Sequence, residues 1–238
     1  MNSKIQTSHA KFLFVFMTIV CCSAPAVAQD SDLQKRVAEM KQTVATNKQE
    51  LMQYTWQEQV NTILKGEQKK QEHFRVQLGP DGKPQKTSLD PPANTEPHGG
   101  PLKRHIVEKK KEEFKEYSDQ IKELIQQYVP PEKDLLEQAV QRGNIMIGPA
   151  PGAEGQYRMV ISNYIKKGDN MTLVIDKAEK SLASISVASY LDDPSNAVTV
   201  FVQFGKIPGG PNSVAAETIN GVKKQLTIQI QNTNYQKK

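Results

Sequence analysis

The chain has almost no cysteine, few histidines, a small excess of charge and no second long apolar run, and each shortage removes a class of function. Its 2 cysteines are Cys21 and Cys22, and both fall inside an N-terminal segment that reads as an export signal. A chain cut after that segment has no thiol, so it can form no disulfide framework, no Cys-ligated zinc site and no thiol nucleophile. The formal charge of +5 loses Lys4 and Lys11 with the signal and no acid, which leaves +3. So small an excess does not supply the clustered cations that release counterions from nucleic acid, and no nucleic-acid partner is expected. No later run reaches the ~18 apolar residues of a membrane span. After the signal the histidines are His73, His98 and His105; the last two lie seven apart with no carboxylate at ligand spacing, which argues against zinc.

Catalytic motifs are missing as well. There is no G-x-S-x-G elbow, no P-loop and no dinucleotide fingerprint. Asp192-Asp193-Pro194-Ser195-Asn196 offers oxygen ligands but lacks the twelve-residue loop and closing glutamate of a calcium site, and reads instead as an Asx-capped turn. These absences predict no catalytic residue, no metal and no cofactor, and hence a protein that is not an enzyme. A hydrolase built without a recognisable motif would need two carboxylates, or a histidine and a carboxylate, converging in one cleft.

What is present begins with the signal. Lys4, His9 and Lys11 form a basic stretch, Phe12 to Val20 an apolar one, and Ala26-Val27-Ala28 an A-x-A cleavage site. The expected division is therefore a signal peptide over 1–28 and a single α+β domain over 29–238, exported and periplasmic or secreted. Ser31 opens a capping-box pattern, and Leu33, Val37, Met40, Val44 and Leu51 follow at helical spacing, predicting an N-terminal amphipathic helix. From Tyr54 the period becomes two. Tyr54, Trp56, Val60 and Leu64 share one side of a strand, Gly66 breaks it, and a return strand carries Phe74, Val76 and Leu78. Gly79-Pro80-Asp81-Gly82 supplies a turn before a third short strand.

A proline- and glycine-rich loop is expected over 90–102, followed by a helical insertion over 103–143 whose stripe includes Phe114, Tyr117, Ile121, Leu124 and Tyr128. Lys109-Lys110-Lys111 is interleaved with Glu108, Glu112 and Glu113, so peripheral membrane contact is the most it suggests. From Ile145 onward alternating segments separated by turn residues read as a β-meander, and Asn220-Gly221 is its strongest hairpin signal, a type I′ turn. The fold expected is a strongly curved antiparallel sheet of about nine strands, an open half-barrel covered by amphipathic helices.

Tyr54-Thr55-Trp56-Gln57-Glu58-Gln59-Val60, the Lys65-Gly66-Glu67 break and Gly79-Pro80-Asp81-Gly82-Lys83 resemble a family of uncharacterised exported bacterial proteins. Lys167 to Asp176 and Ser189 to Pro194 resemble the same family, so the likeness spans most of the chain after the signal. In element order it is similar to the lipoprotein-carrier and sigma-factor-regulator fold of the LolA, LolB and RseB type, which implies a helix-covered half-barrel able to hold acyl chains. The resulting expectation is a non-catalytic envelope protein that binds a lipid or other apolar ligand in a hollow between sheet and helices. Trp56, Val60, Met159 and Phe201 are its candidate lining residues. The alternative is a periplasmic interaction or scaffold protein with a filled core, whose partner is another envelope protein. A hollow or a packed interior separates the two.

Overall fold

The computed structural model of the chain describes residues 26–91 and 101–238. The signal expected over 1–28 lies almost wholly outside the described residues, as does most of the loop expected over 90–102. The elements are α1 (Ala26–Leu51), β1 (Tyr54–Leu64), β2 (Glu67–Leu78), β3 (Pro84–Ser88), α2 (Pro101–Gln126), α3 (Lys133–Gln141), β4 (Ile145–Pro149), β5 (Gln156–Ser162), β6 (Asn170–Asp176), β7 (Ser181–Tyr190), β8 (Ala197–Lys206), β9 (Asn212–Gly221) and β10 (Leu226–Lys237). Helix α1 runs through Ser31, which is therefore not its cap.

All ten strands form one antiparallel sheet in the order β3-β2-β1-β10-β9-β8-β7-β6-β5-β4. The sheet is not closed, because β3 and β4 stand at opposite edges. Seven consecutive strands make a meander, and β1 docks on the last of them with Val60 opposite Ile230 and Leu64 opposite Leu226. That pairing ties the N-terminal three strands to the C-terminal seven. The expectation of nine strands falls one short at β4, whose Ile145-Met146-Ile147-Gly148-Pro149 does not alternate and is drawn into the sheet by its pairing with β5.

Alternation does the sorting elsewhere. Along β5 to β8 one face carries Met159, Ile161, Leu173, Ile185 and Val202, each at most 1 % exposed. Each such side chain stabilises the fold by roughly 1.5–3 kcal/mol. Tyr117, Ile121, Leu124 and Tyr128 of α2 and its C-terminal extension recur at three- and four-residue spacing and cover that face, together with Leu136 and Ala139 of α3. Helix α3 ends in a Schellman pair, Asn144 N donating to Ala139 O and Gly143 N to Val140 O, both at 3.0 Å. Tyr117 Oη donates to Asn196 Oδ1 at 3.2 Å, pinning α2 to the β7–β8 turn, where Ser195 N donates to Asp193 Oδ1 in the expected Asx arrangement.

The hairpin expected at Asn220-Gly221 is displaced. Both residues lie inside β9, paired with Thr227 and Leu226, and the turn is Val222 to Gln225. Gly221 is needed for closeness and not for a turn: a Cβ there would stand 2.7 Å from Tyr117 Oη and 2.8 Å from Ile121 Cδ1. The two-residue turn with positive φ at both positions is instead Lys65-Gly66, between β1 and β2.

Candidate functional site

Helices α2 and α3 do not reach across the whole covered face, and beside them lies a cavity of about 390 Å³, partly open to solvent. Its floor is the sheet, through Leu182 and Ile185 of β7, Phe204 of β8 and Val214 of β9. Residues one helical turn apart on α1, Val44, Lys48 and Leu51, form one wall, and Leu136 of α3 with Val129, Pro130 and Pro131 forms another. The hairpin between β2 and β3 closes the third side with Leu78, Gly82 and Pro84. The wall is overwhelmingly apolar, and its amides face the protein: Asn47 Oδ1 accepts from Asn212 N at 3.2 Å, and Asn212 Nδ2 donates to Leu182 O at 2.7 Å.

One buried carboxylate holds the wall between α2 and α3 in place. Asp169 is 2 % exposed. Its Oδ1 accepts from Tyr164 N at 2.6 Å, and its Oδ2 accepts from Ile165 N at 3.0 Å, Lys166 N at 2.9 Å and Tyr128 Oη at 2.5 Å. Ser189 Oγ lies 2.8 Å from the same phenol oxygen. Tyr128 immediately precedes Val129 to Pro131, so the knot fixes the chain where it becomes cavity wall. Tyr164 adds a second tie, its Oη accepting from Glu132 N at 2.8 Å. Burial pushes the Tyr164 phenol up to about 12, and burial together with the Asp169 hydrogen bond raises the Tyr128 phenol further.

A second polar group occupies the same face on β1, β9 and β10. Trp56 stacks on Tyr235 with ring centroids 5.7 Å apart, and its Nε1 donates to Asn232 Oδ1 at 3.1 Å. Glu58 is 7 % exposed and ion-paired with Lys86. Glu217 pairs with Val202 across the sheet and is half-buried; burial first, and the nearby Glu58 second, raise its carboxyl above the ordinary glutamate value, against a smaller opposing effect of Lys86. On the other face of β2, His73 Nδ1 lies 2.9 Å from Asp90 Oδ1 and His73 N donates to Asp90 Oδ2 at 2.7 Å. These bonds hold the Asp90 carboxyl below the usual carboxylate range. Among the described residues no three His, Asp or Glu side chains converge as a metal site would require.

None of the four residues expected to line a hollow lines this one. Trp56 is packed against Tyr235, Val60 is half-buried on β1, and Met159 is 1 % exposed inside the packed core. Phe201 is 46 % exposed, because it alternates with Val200 and Val202 and so faces away from the helices. Sequence reading passed over all of the lining residues, among them Val44 and Leu51, which it placed on a helical stripe, and Gly82, which it placed in a turn.

Among the described residues, fold and cavity define an α+β protein with an open antiparallel sheet, three helices and an apolar hollow on the helix-covered face. Among solved structures it is similar to a DUF1329 family protein from Desulfovibrio piger, with a TM-score of 0.40 and 11% identity over 84% of this chain and 92% of that one. No protein-family model and no curated protein matches the chain.

Proposed function

We propose that this is an exported, non-catalytic envelope protein that holds an apolar ligand, an acyl chain or a group of similar shape, in the hollow between its sheet and helices. The observation that carries the reading is the cavity: about 390 Å³ lies within the ~300–1,000 Å³ range of small-molecule sites, and its wall is mostly apolar, with Asn47 and Asn212 each hydrogen-bonded to the protein through one side-chain atom. At ~30 Å³ for each water-sized group, it accommodates about a dozen methylenes. In this reading the open sheet is the curved half-barrel of the lipoprotein-carrier type, and residues 1–28 are the export signal. Among the described residues no helix is long and apolar enough to cross a membrane.

Native mass spectrometry of the purified protein and uptake of a fluorescent fatty acid test the proposal. A bound acyl species, or saturable uptake that falls at least tenfold when Val44→Trp fills the cavity, supports it; the absence of both refutes it. One observation favours an envelope interaction protein instead. Edge strand β4 presents Met146 at 67 % and Ile147 at 41 % exposure, an unpaired edge with apolar side chains. Recovery of one specific partner from an envelope fraction, lost on Met146→Lys, would support that second reading.

A further inference from the structure

Lys48 is the only ionisable side chain among the described residues that line the cavity. It stands on α1 one turn before the end of the wall, exposed at the mouth, while its neighbours Val44 and Leu51 turn apolar atoms inward. Among the described residues its ammonium makes no hydrogen bond and no ion pair, whereas Lys86, Lys180, Lys206 and Lys223 are all paired. The fold leaves room for it. A Cβ on Gly82 would lie 2.4 Å from Lys48 Cε and 2.7 Å from Lys48 Nζ, so the lysine stem crosses bare backbone in the β2–β3 turn to reach the mouth. Long lysine stems of this kind cover apolar surface while keeping the charged head in water.

From this placement we infer that the hollow takes a single-chain amphiphile with a negatively charged head, the chain lying on Ile185, Phe204 and Val214 and the head meeting Lys48 at the mouth. The inference rests on the reading of the cavity as an acyl-chain site and adds the charge of the ligand. Charge complementarity selects the head: a carboxylate or a phosphate gains an ion pair there, a neutral alcohol gains none, and a quaternary ammonium is repelled. An exposed pair of this kind is worth about twofold to fivefold in affinity.

The test is titration calorimetry on the purified protein with four twelve-carbon probes: laurate, dodecyl phosphate, dodecanol and dodecyltrimethylammonium. Laurate and dodecyl phosphate should bind about twofold to fivefold tighter than dodecanol, with the tighter of the two identifying the head, and dodecyltrimethylammonium should bind weakest. Lys48→Arg should keep the order, Lys48→Gln should bring the anions to the level of the alcohol, and Lys48→Glu should favour the cation. Equal binding of the anions and the alcohol by the parent protein, or an anion preference that survives Lys48→Glu, overturns the charge inference and leaves the cavity reading standing. If none of the four binds, both fall.

Discussion

Replacing Asp169 with asparagine tests whether one buried carboxylate organises the cavity wall. Four donors converge on it: the Tyr164, Ile165 and Lys166 amides and the Tyr128 hydroxyl, at 2.5 to 3.0 Å. Asparagine keeps one acceptor oxygen and turns the other into an amide nitrogen. If the oxygen stays with the three donors on Oδ2, the new NH₂ faces the Tyr164 N–H, donor against donor; flipped, it abandons three bonds. Hydrogen bonds to a charged group contribute about 1.5–3 kcal/mol each, and an unsatisfied buried donor costs about 1–3 kcal/mol, so Asp169→Asn should destabilise by about 2–4 kcal/mol. For a protein of this size that lowers the melting temperature by about 5–15 °C. Tyr128→Phe leaves the three amides in place and should cost about 1–2 kcal/mol. The two changes share a bond, so the double variant should lose less than the sum of the singles, with a coupling of about 1 kcal/mol or more. Urea unfolding followed by the fluorescence of Trp56 measures all three. Because the knot sets the position of Val129 to Pro131, acyl-probe uptake should weaken in both single variants under conditions where they remain folded. An Asp169→Asn protein within about 0.5 kcal/mol of the parent, or additive singles, would refute the assignment.

Two further substitutions read other parts of the fold. Gly221→Ala places a methyl 2.7 Å from Tyr117 Oη and 2.8 Å from Ile121 Cδ1, so α2 must shift; the expected loss is about 1–3 kcal/mol in urea unfolding, and a neutral result would mean that α2 is not seated there. Glu217 has its proton affinity raised by burial and by Glu58, so the folded state binds that proton more tightly than the unfolded state does. Stability therefore falls as pH rises from the ordinary glutamate value through the raised one. Glu217→Gln should melt higher than the parent at pH 7.5 and approach it near pH 4, and a difference independent of pH would count against the assignment.

Much of the fold was legible because burial and sequence share a period. In β5 and β6 the residues that alternate as apolar are the ones buried, whereas in β7 a register shift buries Leu182 in place of Ala183; in α2 and its C-terminal extension the spacing of Tyr117, Ile121, Leu124 and Tyr128 names the face that meets the sheet. What escaped depends on partners far along the chain. Gly221 looks like a turn residue until α2 is laid over it, and β4 looks irregular until β5 pairs with it. Glu58 continues the Trp56 face but is a glutamate, and only Lys86, 28 residues away, makes its burial tolerable. The cavity was the least legible feature: its wall draws a few residues each from α1, the β2–β3 hairpin, the α2–α3 connection, α3 and three strands, and no local pattern marks a gap between elements. Phe201 was a reasonable candidate by chemistry, yet strand alternation alone turns it away from the helices.

The size of the hollow bears on whether it is an accident of packing. At about 24 cal/mol per Å³, an empty sealed void of this volume would forgo about 9 kcal/mol, comparable to the ~5–15 kcal/mol that holds a domain folded. A mouth open to solvent relieves part of that loss by admitting water, but a mostly apolar wall offers water few partners. Water admitted there would meet Leu182, Ile185, Phe204 and Val214, and exchanging it for a chain of methylenes would remove apolar surface from solvent. The side chains around it also do not collapse inward: Pro130 and Pro131 stiffen one wall, and Lys48 lies across Gly82 on another. Under the proposed function, an apolar occupant of this hollow would stabilise the folded state in proportion to the logarithm of its concentration once that exceeds the Kd. The melting temperature of the parent protein should accordingly climb with added laurate, and that of Val44→Trp should not.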